Sequence, residues 1–68
     1  MTATYKIGKT PDNLLKMGTA PYFINYIVGG ESNWEYERRA KIFHETEEDA
    51  HKAGKRYLKK MKLNGFEI

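Results

Sequence analysis

The sequence predicts a small α+β domain: an antiparallel sheet, built from a hairpin and a short N-terminal strand, with one long C-terminal helix on a single face. Three observations predict it. Tyr22 to Val28 (YFINYIV) is almost wholly aromatic and β-branched, and Trp34 to Phe43 (WEYERRAKIF) can return beside it. Beyond Thr46, apolar residues recur at helical spacing as far as Leu63.

Thr4 to Lys9 alternates, with Tyr5 and Ile7 on one side, and reads as a first strand. Thr10-Pro11-Asp12-Asn13 reads as a helix entrance, with Thr10 as cap, Pro11 in the first turn and Asp12 favoured by the dipole. Leu14, Leu15 and Met17 continue this piece, which Gly18 can close.

In the expected hairpin, Tyr22, Ile24, Tyr26 and Val28 share one face of the outgoing strand. Gly29 to Asn33 supplies the turn, and Trp34, Tyr36, Ala40 and Ile42 share the matching face of the return. Arg38 interrupts that second row, which predicts a bulge or an edge position there.

Thr46-Glu47-Glu48-Asp49 matches a capping box, with Thr46 as cap and Asp49 reaching back. A projection at about 100° per residue gathers Ala50, Ala53, Gly54, Tyr57, Leu58 and Met61 on one side. Gly54 costs about 1 kcal/mol relative to alanine inside a helix, but with Ala53 it lets the helix lie close to the sheet. Asn64-Gly65 ends the helix, Phe66 can fold back onto Met61, and Phe66 to Ile68 can add a last short strand.

Sixty-eight residues make one domain, 1–68, near the lower size limit for unaided folding. There is no cysteine, so neither disulfides nor thiolate metal sites supplement the core. The N-terminus has no apolar signal region, and the longest apolar stretch is interrupted by Asn25, so a cytoplasmic protein without membrane contact is expected. Hydrophobic residues at 40% and charged residues at 31% fit a globular domain rather than a disordered tail.

The net charge of +3 says less than its distribution. Residues 1–43 hold six basic and four acidic groups, whereas 51–63 hold six basic and none acidic. Lys52, Lys55, Lys59 and Lys62 form a stripe on the outer side of the helix, flanked by Arg56 and Lys60. Such a face is either a solvated helix surface or a grip on phosphate, sensitive to salt and poor in base specificity.

The other face of the expected hairpin holds Phe23, Asn25 and Ile27 beside Glu35, Glu37, Arg39 and Lys41. Either the Leu14–Leu15 segment covers Phe23 and Ile27, or the face stays open as a protein-binding or homodimer surface. His44 and His51 frame HETEEDAH without a metal-site spacing, and no metal or other cofactor is expected. Ser32, the only serine, has no base placed beside it, and the acids from Glu45 to Asp49 serve capping and the dipole, so no enzyme is expected.

From Tyr22 to Leu63, a hairpin followed by Phe43, Thr46, the Glu47–Glu48 pair and Ala50 resembles the AP2-like DNA-binding module, including the arm-binding N-terminal domains of phage and transposon integrases. That resemblance implies a sheet that contacts DNA with the helix packed behind it. Here Glu35 and Glu37 stand where basic readers would be wanted, which leaves Arg38, Arg39 and Lys41. In size and layout the chain also resembles stand-alone phage proteins that block host polymerase or CRISPR complexes.

The expectation is therefore a non-enzymatic module, monomeric or homodimeric, that engages nucleic acid or a nucleoprotein complex. Lys52, Lys55, Arg56, Lys59 and Lys62 would carry it, with Arg39 and Lys41. The alternative is a protein-binding inhibitor acting through Phe23, Asn25, Ile27, Glu35 and Glu37.

Overall fold

A computed structural model describes residues 1–68. The elements run β1 (Ala3–Lys9), α1 (Asp12–Leu15), β2 (Tyr22–Val28), β3 (Glu31–Ser32), α2 (Trp34–Glu37), β4 (Phe43–His44) and α3 (Glu47–Leu63). The architecture is α+β, a four-stranded antiparallel sheet with one long C-terminal helix.

β2, the most aromatic and β-branched segment, is the central strand. β1 pairs along its whole length on one side, from Ala3 opposite Val28 to Lys9 opposite Tyr22. The other side is shared. β3 pairs with the C-terminal end of β2 and β4 with its N-terminal end, and α2 occupies the chain between them.

This division corrects the expected hairpin. The turn is only Gly29-Gly30, with φ of 58° and 80°, the two positive values that a type I′ connection demands. Glu31 and Ser32 therefore already belong to the returning strand. Trp34 to Glu37, expected in an extended return, is helical because the Asn33 side chain accepts a hydrogen bond from the Tyr36 N–H. Glu35 and Glu37 fall in the first turn, where the dipole favours acids. Arg38 is the C-cap of α2 rather than a bulge.

α3 forms as its sequence dictates. Thr46 Oγ1 accepts from the Asp49 N–H at 3.0 Å, although the Asp49 side chain does not return the bond. At the other end Phe66 N–H donates to the Met61 carbonyl and Gly65 N–H to the Lys62 carbonyl, each at 3.0 Å. Gly65, with φ of 90°, supplies the left-handed residue that this Schellman closure needs.

The helix lies against β1, β2 and β4 and buries Ala50, Ala53, Gly54, Tyr57 and Met61. The core beneath it comprises Ala3, Ile24, Tyr26, Ala53, Tyr57 and Met61. The row read from β2 does face the core, with Ile24 and Tyr26 in it and Val28 packed against it, but Ile27 of the opposite row is buried as well. At the sheet end the expected last strand is reduced to a single parallel bridge between Thr2 and Glu67.

Two smaller expectations change. Thr10 does not cap α1; its hydroxyl donates to the Ala20 carbonyl at 2.6 Å and closes the loop before β2. α1 packs against no strand or helix, so Leu14 and Leu15 do not form a lid over the sheet. No helix is long and apolar enough to cross a membrane.

Candidate nucleic-acid interface

The candidate surface begins with the spacing of basic residues along α3. Because the apolar side of the helix is committed to the sheet, Lys52, Lys55, Arg56, Lys59 and Lys62 are all exposed. The molecule's lysine–carboxylate ion pair is Glu48–Lys52, and Glu47 Oε1 lies 3.8 Å from His51 Nε2, both at (i, i+4) spacing in the first half of the helix. The Glu48–Lys52 separation is 3.6 Å on an exposed surface, which contributes well under about 1 kcal/mol. Lys55, Arg56, Lys59 and Lys62 have no carboxylate partner, so their charges face solvent unneutralised.

Arg39 and Lys41 follow α2, and the fold brings them to the flank of this helix. Arg39 and Lys60 border a groove of about 380 Å³ between α2 and the C-terminal end of α3. Lys41 and Arg56 border a smaller hollow of about 240 Å³ floored by Tyr26 and Tyr36. The two sets of basic residues, distant in sequence, form one surface that wraps from the helix onto the α2–β4 connection.

An aromatic cluster stiffens this flank. The rings of Tyr26, Tyr36 and Tyr57 lie 4.6–4.8 Å apart, centroid to centroid, in edge-to-face and tilted arrangements. Tyr57 is fully buried, and its hydroxyl donates to the Ile27 carbonyl at 2.8 Å while accepting from Asn33 Nδ2 at 3.2 Å. Burial pushes the Tyr26 phenol up to about 12, aided by the neighbouring Tyr36, and burial likewise raises Tyr57. Lys60 Nζ sits 5.5 Å from the Tyr36 ring centroid, a cation–π placement that fixes one of the groove's two cations.

Comparison with protein-family models, with characterised proteins and with solved structures yields no match.

The second set of expected site residues does not form one open face. Ile27 is buried, at 8% exposure. Phe23 is half-buried, its ring laid across Gly8 of β1 so closely that a Cβ there would meet it at 2.6 Å. Asn25 donates to Glu37 at 2.6 Å and to Ser32 Oγ at 3.1 Å. Glu37 faces the edge of β2, whereas Glu35 is exposed and borders the groove. These five residues were grouped by the parity of a long return strand; the helical turn at α2 redistributes them.

Three residues of the groove and the exposed Trp34 carry no binding signal in the sequence. Lys60 was placed only as a flank of the stripe, and Asn64 and Phe66 only as helix-ending residues. Trp34, assigned to the sheet's inner row, is 72% exposed on α2. The signal for α2 was present: Asn33 followed by Glu35 and Glu37 is an N-terminal helix signature.

The two histidines are engaged separately. His44 is buried with Nε2 3.2 Å from the Lys41 carbonyl, and His51 Nδ1 lies 3.1 Å from the Tyr5 hydroxyl.

Proposed function

We propose that this domain is a non-enzymatic binding module that grips nucleic acid, or a nucleoprotein complex, through the basic surface of α3 and its α2 flank. One observation carries the reading: Lys55, Arg56, Lys59 and Lys62 stand on a single rigid helix without a carboxylate partner, and the fold adds Arg39, Lys41 and Lys60 beside them. Lysine-rich surfaces of this kind bind phosphate and release counterions, with little discrimination among bases. The reading uses the helix, not the sheet that the AP2-like resemblance implies.

A protein inhibitor acting through the sheet face has less support. Its apolar centre needs Ile27 at the surface, and Ile27 is buried. Its acidic rim needs Glu37 free, and Glu37 is held by Asn25 and Tyr26.

The test is the affinity for duplex and single-stranded nucleic acid across a salt series. Each phosphate contact contributes close to one unit of log–log slope, so affinity should fall steeply between low and physiological salt. Lys55→Glu with Lys59→Glu should abolish binding. Affinity that ignores both salt and these substitutions would refute the proposal.

A further inference from the structure

We infer that the groove between α2 and the end of α3 seats one unpaired nucleotide of a single strand, its base against Tyr36 and Phe66 and its phosphate on Arg39 and Lys60. This rests on the proposed function and names the form of nucleic acid that the basic surface takes.

The groove differs in kind from the lysine stripe. Its volume of about 380 Å³ falls in the range of small-molecule sites, and part of its wall is aromatic and apolar. Tyr36 and Phe66, both half-buried, pack against the core and line the groove, where Lys60 Nζ lies over the Tyr36 ring and must turn to the phosphate for a base to stack there. An aromatic platform of this sort stacks any base, because every base has a π-face.

Asn33, at one end of the groove, is committed to the Tyr36 N–H and the Tyr57 hydroxyl, but the other polar side chains at its border make no hydrogen bond within the molecule. Arg39, Asn64 and Glu35 are exposed, and none of their side chains takes part in a hydrogen bond or ion pair of the molecule. Lys60 engages only the Tyr36 ring. Arginine and lysine suit a phosphate. The Asn64 amide offers both a donor and an acceptor to a base edge, and the Glu35 carboxylate can accept from an exocyclic amine. A stacking floor, two cations and two edge-reading groups match a nucleotide part for part.

Duplex cannot use this site, because its bases are stacked on one another and inaccessible from the backbone side. A single strand can, and the exposed cations Arg56 and Lys59 on the same helix extend the track along which its flanking phosphates would run.

The experiment measures the anisotropy of labelled oligonucleotides of about ten nucleotides, within the site size of single-strand binders. Wild-type protein is titrated at low salt with a DNA strand, an RNA strand, a hairpin duplex and a strand carrying one abasic residue among binding-limiting flanks. The single strands should bind roughly tenfold tighter than the duplex, and the abasic strand should lose most of that advantage. Asn64→Ala, an exposed position outside the cationic surface, should lower single-strand affinity several-fold and leave duplex affinity within about twofold, whereas Arg39→Ala should weaken both.

Equal affinity for intact and abasic strands would overturn the base seat while leaving a phosphate grip standing. Failure to bind any of the four probes would overturn the proposed function itself. A free mononucleotide that binds as tightly as the strand would overturn the assignment to a polymer. Preference for DNA or for RNA supports the seat and identifies its source.

Discussion

Glu37 Oε1 accepts a hydrogen bond from the backbone N–H of Tyr26 at 3.1 Å, in the gap between β3 and β4 on the side of β2 away from β1. The same oxygen accepts from Asn25 Nδ2 at 2.6 Å. Above and below the gap, backbone supplies the partners: Ile24 N–H donates to the Ile42 carbonyl, and Asn33 N–H to the Tyr26 carbonyl. A side chain from α2 thus replaces the one ladder bond that the helical turn removes. This is how a sheet edge absorbs a helix without leaving a buried donor unpaired.

The substitution Glu37→Ala should destabilise the domain by about 1–3 kcal/mol, because it strands the N–H of a buried residue. Glu37→Gln keeps an oxygen acceptor and should cost less than half as much. Urea unfolding of the three proteins checks this, and equal stability of wild type and Glu37→Ala would show that the bond carries nothing.

The same relationship explains which parts of the fold could be read from the sequence. α3 was legible because its signals are local: Thr46 caps, Gly65 closes, and the apolar residues between them share one side. β2 was legible because its alternation and its β-branched content agree. α2 was not, because Trp34 and Tyr36 alternate with Glu35 and Glu37 just as an amphipathic strand does. Four residues satisfy a period of two and one helical turn equally well, and the decision falls to Asn33, whose side chain caps Tyr36. The basic stripe followed directly from α3. Arg39 and Lys41 were expected among the contacts, but as strand residues; their place beside α3, and the groove with Lys60 and Asn64, depend on where α2 docks, which no local pattern contains.

Gly54 is the position where helix propensity and packing oppose each other. Alanine would gain about 1 kcal/mol as a better helix former, but its Cβ would lie 2.5 Å from the Tyr5 ring. Relief requires that ring to swing away from its hydrogen bond to His51. Overpacking of this kind costs about 1–3 kcal/mol, so Gly54→Ala should be neutral to destabilising by up to about 2 kcal/mol. In a Tyr5→Ala background the clash is gone and the same change should stabilise. Thermal melts of the four proteins in a double-mutant cycle decide it; additive effects would contradict the close approach.

Alkaline pH should unfold the domain through its buried phenols. Tyr26 titrates in the folded state at about 12, against 10.0 when free, and Tyr57 is raised in the same direction. Between those values the unfolded chain has released the proton that the folded chain still holds, so folding binds protons and stability falls as pH rises. For Tyr26 the loss is on the order of 1 kcal/mol per pH unit between about pH 10 and 12, and it fades below that window. Tyr26→Phe removes one titrating group and only a 3.4 Å hydrogen bond to the Lys41 carbonyl. Its denaturation midpoint should therefore fall less steeply with pH than that of the wild type, and parallel curves would place the alkaline sensitivity elsewhere.

Charge reversal on α3 should separate binding from folding. Lys55 and Lys59 are exposed and take part in no ion pair, so Lys55→Glu with Lys59→Glu removes no contact within the molecule. The folding cost is the loss of favourable charge toward the helix C-terminus, and two new acids there should lower stability by no more than about 1–2 kcal/mol. The effect on binding is larger in kind. Two phosphate contacts become two repulsions within a Debye length of the remaining cations. A single Lys55→Ala should cut the log–log salt slope by about one unit, whereas the double reversal should remove measurable affinity at moderate salt. Circular dichroism establishes that the helix persists, and the salt titration then assigns the loss to charge. If the double reversal keeps its helix and also keeps its affinity, the cations of α3 are only a solvated face.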